Sequence, residues 1–233
     1  MNMAGADIVF QCADDSGISE RRVHIGHLVI AGWTGRNKVA MNAHIEELAA
    51  IGVPRPATTP IFYRVSASLL TNDNAIEVSG KGSSGEVEPV LVSLDDGLWV
   101  GVGSDHTDRE AETAGITIAK QLCPKVISKT LWRFDDVAAH WDDLQLRSHA
   151  VIGGQRRLYQ EGKTSVMLRP EDLITRYAGR ADGLAPGSVM FCGTMAVHGG
   201  IEPGEVFETE LTDPAMGREI SHTYRIDTLP IAG

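Results

Sequence analysis

Between Ser84 and Glu110 the chain reads SGEVEPVLVSLDDGLWVGVGSDHTDRE. Two apolar runs flank Asp96-Gly97, a strong signal for a two-residue hairpin turn, because both residues tolerate the backbone angles such turns need. Taken literally, that turn pairs Asp95 with Leu98. Counting outwards pairs Leu94 with Trp99, Val92 with Gly101, Val90 with Gly103 and Glu88 with Asp105. Side chains two apart share one face of a strand, so Glu86 joins Glu88 and Asp105 on a single face. Gly101 and Gly103 fall on that face as well and are expected to leave room beside it.

Directly opposed like charges destabilise a strand pair. Three carboxylates gathered at the end of an apolar hairpin therefore call for a compensating partner. A hard divalent cation supplies it, and Mg²⁺ or Mn²⁺ suits all-carboxylate ligation better than Zn²⁺. The plain alternative is a strand end in water, where carboxylates simply hydrate.

The rest of the sequence frames this hairpin. A chain of 233 residues suits one large domain or a small lobe with a larger one, and 42% hydrophobic residues suffice for a buried core. The formal net charge of -10 argues against nucleic acid as a partner, since phosphate neutralisation needs Lys and Arg. Cys12, Cys123 and Cys192 are scattered and odd in number, which points to a reducing compartment. No signal-peptide pattern or membrane-length apolar run is visible, so the expected setting is cytoplasmic, with no membrane partner.

DIVFQC and HIGHLVIAG read as strands, and NKVAMNAHIEELAAIG reads as a helix with Met41, Ile45 and Leu48 at helical spacing and Gly52 as its stop. The prolines of VPRPATTP then force an extended connection. A boundary is expected there, giving residues 1–60 as a small N-terminal lobe and 61–233 as a β-rich catalytic domain. Beyond Ile61, AIEVSG, EVEPVLVSL, LWVGVGS, SHAVIGG, SVMFCG, EVFETEL and EISHTYRI have strand length. One helix is expected through AETAGITIAKQL and another from Pro170, a favoured first-turn residue followed by Glu171 and Asp172. Many strands without strict alternation with helices predict a β-rich α+β fold.

Other residues carry chemistry. His44 and Glu47 are three apart on the expected helix, so the carboxylate can orient the imidazole and raise its basicity; an ordinary polar flank is the alternative. Arg109 lies one helical turn beyond Asp105 and can place a cation near a bound anion, or form a surface ion pair with Glu112 or Asp108. Lys125 and Lys129 flank VIS, and a buried lysine there would stabilise developing negative charge. Gly193 and Thr194 sit in FCGTMAVHGG, where glycines allow close backbone approach to a ligand. Phosphate-cradling loops, dinucleotide fingerprints, Cys–His nucleophile sets and Gly-x-Ser-x-Gly elbows are missing from the sequence.

In order along the chain, from about Gly32 to Arg225, these segments resemble the fumarylacetoacetate hydrolase superfamily, in particular a poorly characterised bacterial branch. GRNKVAMNAHIEEL resembles its His-x-x-Glu segment, EVE its Glu-x-Glu metal pair, and DHTDRE its Asp-x-x-x-Arg-Asp segment. GGQRRLYQEGKTSVM is similar to its Gln-x-Gly-x-Thr stretch, and APGSVMFCGTMAVHGGIEPGEVFETEL to its closing glycine-rich pattern. Two departures stand out: Met195 replaces the usual proline after Gly193-Thr194, and Glu112 replaces a frequent glutamine. The resemblance implies a mixed β-roll-like fold, a homodimer, and Mg²⁺ or Mn²⁺ on Glu86, Glu88 and Asp105. It implies His44 and Glu47 as the base, Arg109 and Lys129 as anion and carbanion stabilisers with Lys125 as the rival to Lys129, and Thr194, Gly193 and Gln160 as substrate contacts. The activity it implies is hydrolysis of a carbon–carbon bond in a small acylpyruvate or β-diketo acid. Decarboxylation or tautomerisation of an oxaloacetate-like 2-oxo acid is the alternative, and a non-catalytic acid-binding protein is the third reading.

Overall fold

The computed structural model describes residues 5–179, except 51 and 53, and residues 183–232. Its strands form a ten-stranded mixed sheet in the order Gly17–Ile25, Ala6–Asp14, Thr130–Arg133, Gly97–Ser104, Val87–Leu94, Ser188–Phe191, His27–Gly32 and Ile61–Val65. Off that path, Lys125–Ile127 pairs with Gly97–Ser104 and with the short Leu70–Thr71 strand. A five-stranded sheet runs Gln155–Lys163, Gln145–Ile152, Val206–Asp213, Arg218–Leu229 and Ala75–Ser79. A two-stranded ribbon joins Ser83–Ser84 to Thr107–Asp108. The architecture is the expected β-rich α+β class, with short helices over curled sheets. Residues 6–32 supply three strands to the same sheet as the chain beyond residue 60, so the expected lobe boundary does not divide the main sheet.

The Val87–Leu94 strand is buried at every position, which explains its almost unbroken apolar run. Its two faces feed different cores. Val90 and Val92 pack with Phe10, Ile30, Ile127 and Phe191. Val87 and Leu91 pack with Trp132, Trp141 and Leu173, and with Leu146 and Leu211 of the second sheet. Each such side chain, fully buried, contributes about 1.5–3 kcal/mol.

The hairpin register differs from the literal count. Leu94 pairs with Gly97, Val92 with Trp99, Val90 with Gly101 and Glu88 with Gly103. Asp95 and Asp96 are thus the turn residues, and Gly97 opens the return strand at a φ of 128°, where a side chain would be strained. Asp96 fixes the turn by accepting a hydrogen bond from Trp99 Nε1 at 3.0 Å and by pairing with Arg21. The shift is two residues, one full side-chain period, so every residue keeps its expected face while its partner changes. Asp105 comes opposite Glu86 instead of Glu88: its amide donates to the Glu86 carbonyl at 3.0 Å.

The expected helices form at Lys38–Ala50 and Pro170–Ala178. Asn37 Oδ1 accepts the amides of Val39 and Ala40, a side-chain cap at the first helix's start. Met41 and Ile45 are half-buried there, and the side chain of Leu48 lies outside the described part. AETAGITIAKQL does not form one helix. Gly115, at a φ of 145°, separates a single turn at Ala111–Thr113 from the helix Ile116–Gln121. No helix of the described residues is long and apolar enough to cross a membrane.

Candidate metal centre

Glu86, Glu88 and Asp105 bring one carboxylate oxygen each within 4.8 Å of one another. They sit where the apolar face of the hairpin ends, so the core that carries Val90 and Val92 also encloses them. Glu88 is 2% exposed and Asp105 is fully buried. The Gly193 amide donates to Glu88 Oε2 at 2.7 Å, which orients that carboxylate. Among the described residues, Asp105 Oδ1 is buried without an aligned hydrogen bond, although the Lys125 ammonium lies 3.0 Å away. Hard oxygens and an unsaturated buried acceptor fit a Mg²⁺ or Mn²⁺ ion.

Cations ring the carboxylates. Arg109 Nη2 is 3.1 Å from Glu86 Oε1, its Nη1 is 2.9 Å from Glu112 Oε1, and its Nε donates to Ser84 Oγ at 2.7 Å. Lys125 is fully buried and donates to the His106 carbonyl. Lys120, from the short helix Ile116–Gln121, pairs with Asp105 Oδ2 and lies 3.9 Å from Glu86 Oε2. Lys129 does not enter the cluster. It is exposed, and its carbonyl accepts the Gln11 amide, whereas its rival Lys125 lies against Asp105.

Burial drives the electrostatics. It lifts the Glu88 carboxyl well above the usual range, and the negative charges of Asp105 and Glu86 push the same way. Burial would also lift Asp105, but the ammonium groups of Lys120 and Lys125 outweigh it and hold that carboxyl below its ordinary value. Burial lowers Lys125, against the pull of Asp105. The cluster therefore separates into one carboxylate kept ionised by cations and one for which burial favours the proton.

Gly193, Thr194 and Gln160 do meet at the site, in a supporting arrangement. Gln160 Nε2 donates to Thr194 Oγ1 at 2.8 Å and to the Met195 carbonyl at 2.7 Å, while its Oε1 accepts from the Val87 amide at 2.9 Å. Thr194 donates to the Val87 carbonyl at 2.7 Å. Both side chains are committed to the backbone that aims Glu88. Gly101 and Gly103 leave no room beside the site. A Cβ on Gly103 would come within 2.4 Å of the Val126 carbonyl, and one on Gly101 within 2.7 Å of Ser128 Oγ. These glycines admit the neighbouring strand instead of a ligand. Space opens on the ribbon side, in a cavity of about 370 Å³ lined by Lys81, Ser83, Ser84, Arg109, Ile201 and Pro203.

His44 and Glu47 touch as expected, Nδ1 to Oε2 at 3.3 Å, but stand in solvent at 60% and 74% exposure. The His44 ring centroid is 5.8 Å from that of Trp33. Trp33 has a φ of 57°, the left-handed region that costs a non-glycine residue free energy and marks functional segments elsewhere. It follows Gly32, where a Cβ would meet the Tyr63 ring at 2.8 Å, and Tyr63 in turn sits 5.8 Å from the Lys120 ammonium. Trp33, Tyr63 and Lys120 were not among the expected site residues. Lys120 gave no signal, because a lysine in a short helix normally points to water.

His106 makes a second buried network. Tyr224 donates to Ser104 Oγ at 2.8 Å, so it accepts from His106 Nδ1 at 3.0 Å, and Nε2 accepts from Ser83 Oγ at 2.9 Å. Burial first, then the charges of Lys125 and Arg109, press the imidazole down to about 3. A base that weak does not activate Ser83 at neutral pH. The network instead pins the Asp105–Arg109 segment.

Residues 31–224 match the family model described as "Protein of unknown function (DUF2848)". No curated protein matches the chain. Among solved structures, a protein from Burkholderia cenocepacia described as a fumarylpyruvate hydrolase superposes with a TM-score of 0.64 at 18% identity, covering 97% of this chain and 94% of that one. The 2-hydroxyhepta-2,4-diene-1,7-dioate isomerase from Mycobacterium marinum gives 0.62 at 14% identity, covering 96% and 99%. A fumarylacetoacetate hydrolase family protein of yeast gives 0.60 at 18%, covering 89% and 95%. The chain has the fold of fumarylacetoacetate hydrolase family proteins.

Proposed function

For a chain that belongs to the DUF2848 family and shares its fold with the hydrolase and isomerase above, we propose a divalent-metal-dependent enzyme that hydrolyses a carbon–carbon bond in a small acylpyruvate or β-diketo acid. The observation that carries this reading is the convergence of half-buried Glu86 with buried Glu88 and Asp105 beside Arg109 and Lys125. The three carboxylates would hold Mg²⁺ or Mn²⁺. When bound, such an ion supplies Lewis acidity toward the oxygens of a keto acid and steadies enolate charge.

The chain's own groups do the rest. Gly193 aims Glu88 through its amide, and Gln160 and Thr194 hold that loop against Val87. Arg109 lines the neighbouring cavity and supplies the cation for the substrate carboxylate. Lys125 places positive charge where carbanion character develops, the role expected of Lys129. His44, oriented by Glu47, moves a proton between water and substrate. A homodimer working in the cytoplasm on a small carboxylate is part of the same proposal.

A panel of 2-oxo and β-keto acids, assayed with Mg²⁺, Mn²⁺ and a chelated control, tests it. Two carboxylic fragments from one substrate support hydrolysis. Turnover that is indifferent to chelation would remove the metal from the reading. The isomerase likeness supports a second reading, decarboxylation or tautomerisation of an oxaloacetate-like acid. Release of CO₂, or a shifted double bond without cleavage, would select it.

A further inference from the structure

Lys120 stands where a divalent cation would compete with it. Its ammonium pairs with Asp105 Oδ2 and approaches Glu86 Oε2 to 3.9 Å, so it already engages two of the three carboxylates of the triad. The residue is only 6% exposed, which leaves water little part in neutralising that charge. Arg109 and Lys125 differ from it. Arg109 is tied to Glu86, Glu112 and Ser84, and Lys125 is anchored from behind by the His106 carbonyl. Within this cluster, the carboxylates of Glu86, Glu88, Asp105 and Glu112 face the cations Arg109, Lys120 and Lys125. A divalent ion entering with all three cations in place would meet a like charge at contact distance in a poorly solvated site. The Tyr63 ring lies 5.8 Å from the ammonium in this same position, so an aromatic face remains beside Lys120 when it releases the carboxylate.

We propose that Lys120 is an internal counter-ion that holds Asp105 and Glu86 in the absence of a divalent cation and must leave Asp105 Oδ2 for the cation to bind. The proposal rests on the metal-centre reading above. Lys120 would therefore stabilise the unloaded protein and weaken its hold on metal. That is the opposite of what a lysine merely buttressing the site would do.

The test uses full-length protein stripped with chelator, titrated with Mn²⁺ in a calorimeter and followed by thermal unfolding with and without Mn²⁺. Lys120→Met keeps the stem and removes the charge. Mn²⁺ is expected to bind the variant at least about tenfold more tightly than wild type. The stripped variant is expected to unfold at a lower temperature and to gain more from Mn²⁺. Lys120→Gln should move both readings in the same direction and serves if the methionine variant does not fold. Equal or weaker Mn²⁺ affinity in the variant, with wild type binding, overturns the counter-ion and leaves the metal centre standing. Failure of both wild type and variant to bind Mn²⁺ overturns the two together.

Discussion

Asp105 and His44 sit in opposite environments. Asp105 is fully buried, and its carboxylate faces the ammonium groups of Lys120 and Lys125. His44 stands 60% exposed, with one carboxylate neighbour at 3.3 Å. In the first region the charge of Asp105 cannot be removed alone, because water is not there to take over from a lost partner. In the second, solvent screens the pair and its contribution to the fold is close to nothing. Carboxylate–cation contacts thus form an interdependent cluster in one place and an adjustable surface pair in the other.

Asp105→Asn is the strongest way to break the contrast. It leaves two buried ammonium groups facing a neutral amide, so the folded state should lose about 3–5 kcal/mol, read by urea denaturation of the metal-free protein. Mn²⁺ binding should vanish as well. A variant with full stability would mean that the lysines find water, and that the cluster is no more buried in solution than His44.

Glu88→Gln separates metal binding from folding. The amide oxygen still accepts the Gly193 N–H, and an uncharged group suits a site that disfavours ionised Glu88. Mn²⁺ affinity should fall by about a hundredfold, roughly 2.7 kcal/mol, while the urea midpoint holds or rises. Unchanged affinity in calorimetry would take Glu88 out of the metal set.

What could be read in advance follows the same division. Strand period and turn chemistry placed Glu86, Glu88 and Asp105 on one face, even though Asp95 and Asp96 form the turn and the register lies two residues away. An error of one residue would have reversed that face, and an error of two could not. Lys120 and Tyr63 were illegible because their approach to the site depends on how distant elements pack, which no local period encodes. The edge strand Gln155–Lys163 escaped notice for a different reason. Its QRRLYQEGK sequence is largely polar and exposed, as suits the unpaired side of a sheet. Lys125 and Lys129 share a local pattern, and only the pairing of Lys125–Ile127 with Gly97–Ser104 directs the first inward.

His106 carries the contrast into pH dependence. In the fold its imidazole is held down to about 3, whereas the unfolded chain takes up the proton near 6.5. The unfolded state therefore binds more protons between those values. The stability tied to neutral His106 is complete above about pH 6.5 and is lost as pH falls toward 3, by up to about 1.4 kcal/mol per unit. Asp105, Lys125 and Arg109 face the ring and act on it over the same range. His106→Gln should flatten the dependence of the thermal midpoint on pH within that window. An unchanged slope would assign acid sensitivity to other groups.

The smallest effect on the fold should come from His44→Ala, and its smallness is informative. The imidazole is exposed, pairs with Glu47 in water, and touches the tilted Trp33 ring. Its removal should shift stability by less than about 0.5 kcal/mol and leave Mn²⁺ affinity at the wild-type value. Turnover of whichever 2-oxo or β-keto acid the protein accepts should nevertheless fall by about 10²–10⁴, the usual share of a positioned acid–base group. Glu47→Gln should give a milder loss, since the imidazole remains and only the carboxylate that orients it is lost. A drop in Mn²⁺ affinity in His44→Ala would show that the helix's position is felt at the cluster, joining the two regions. Unchanged turnover in both variants would leave the exposed pair with no part in the chemistry, and the proton would then have to move through groups of the buried cluster.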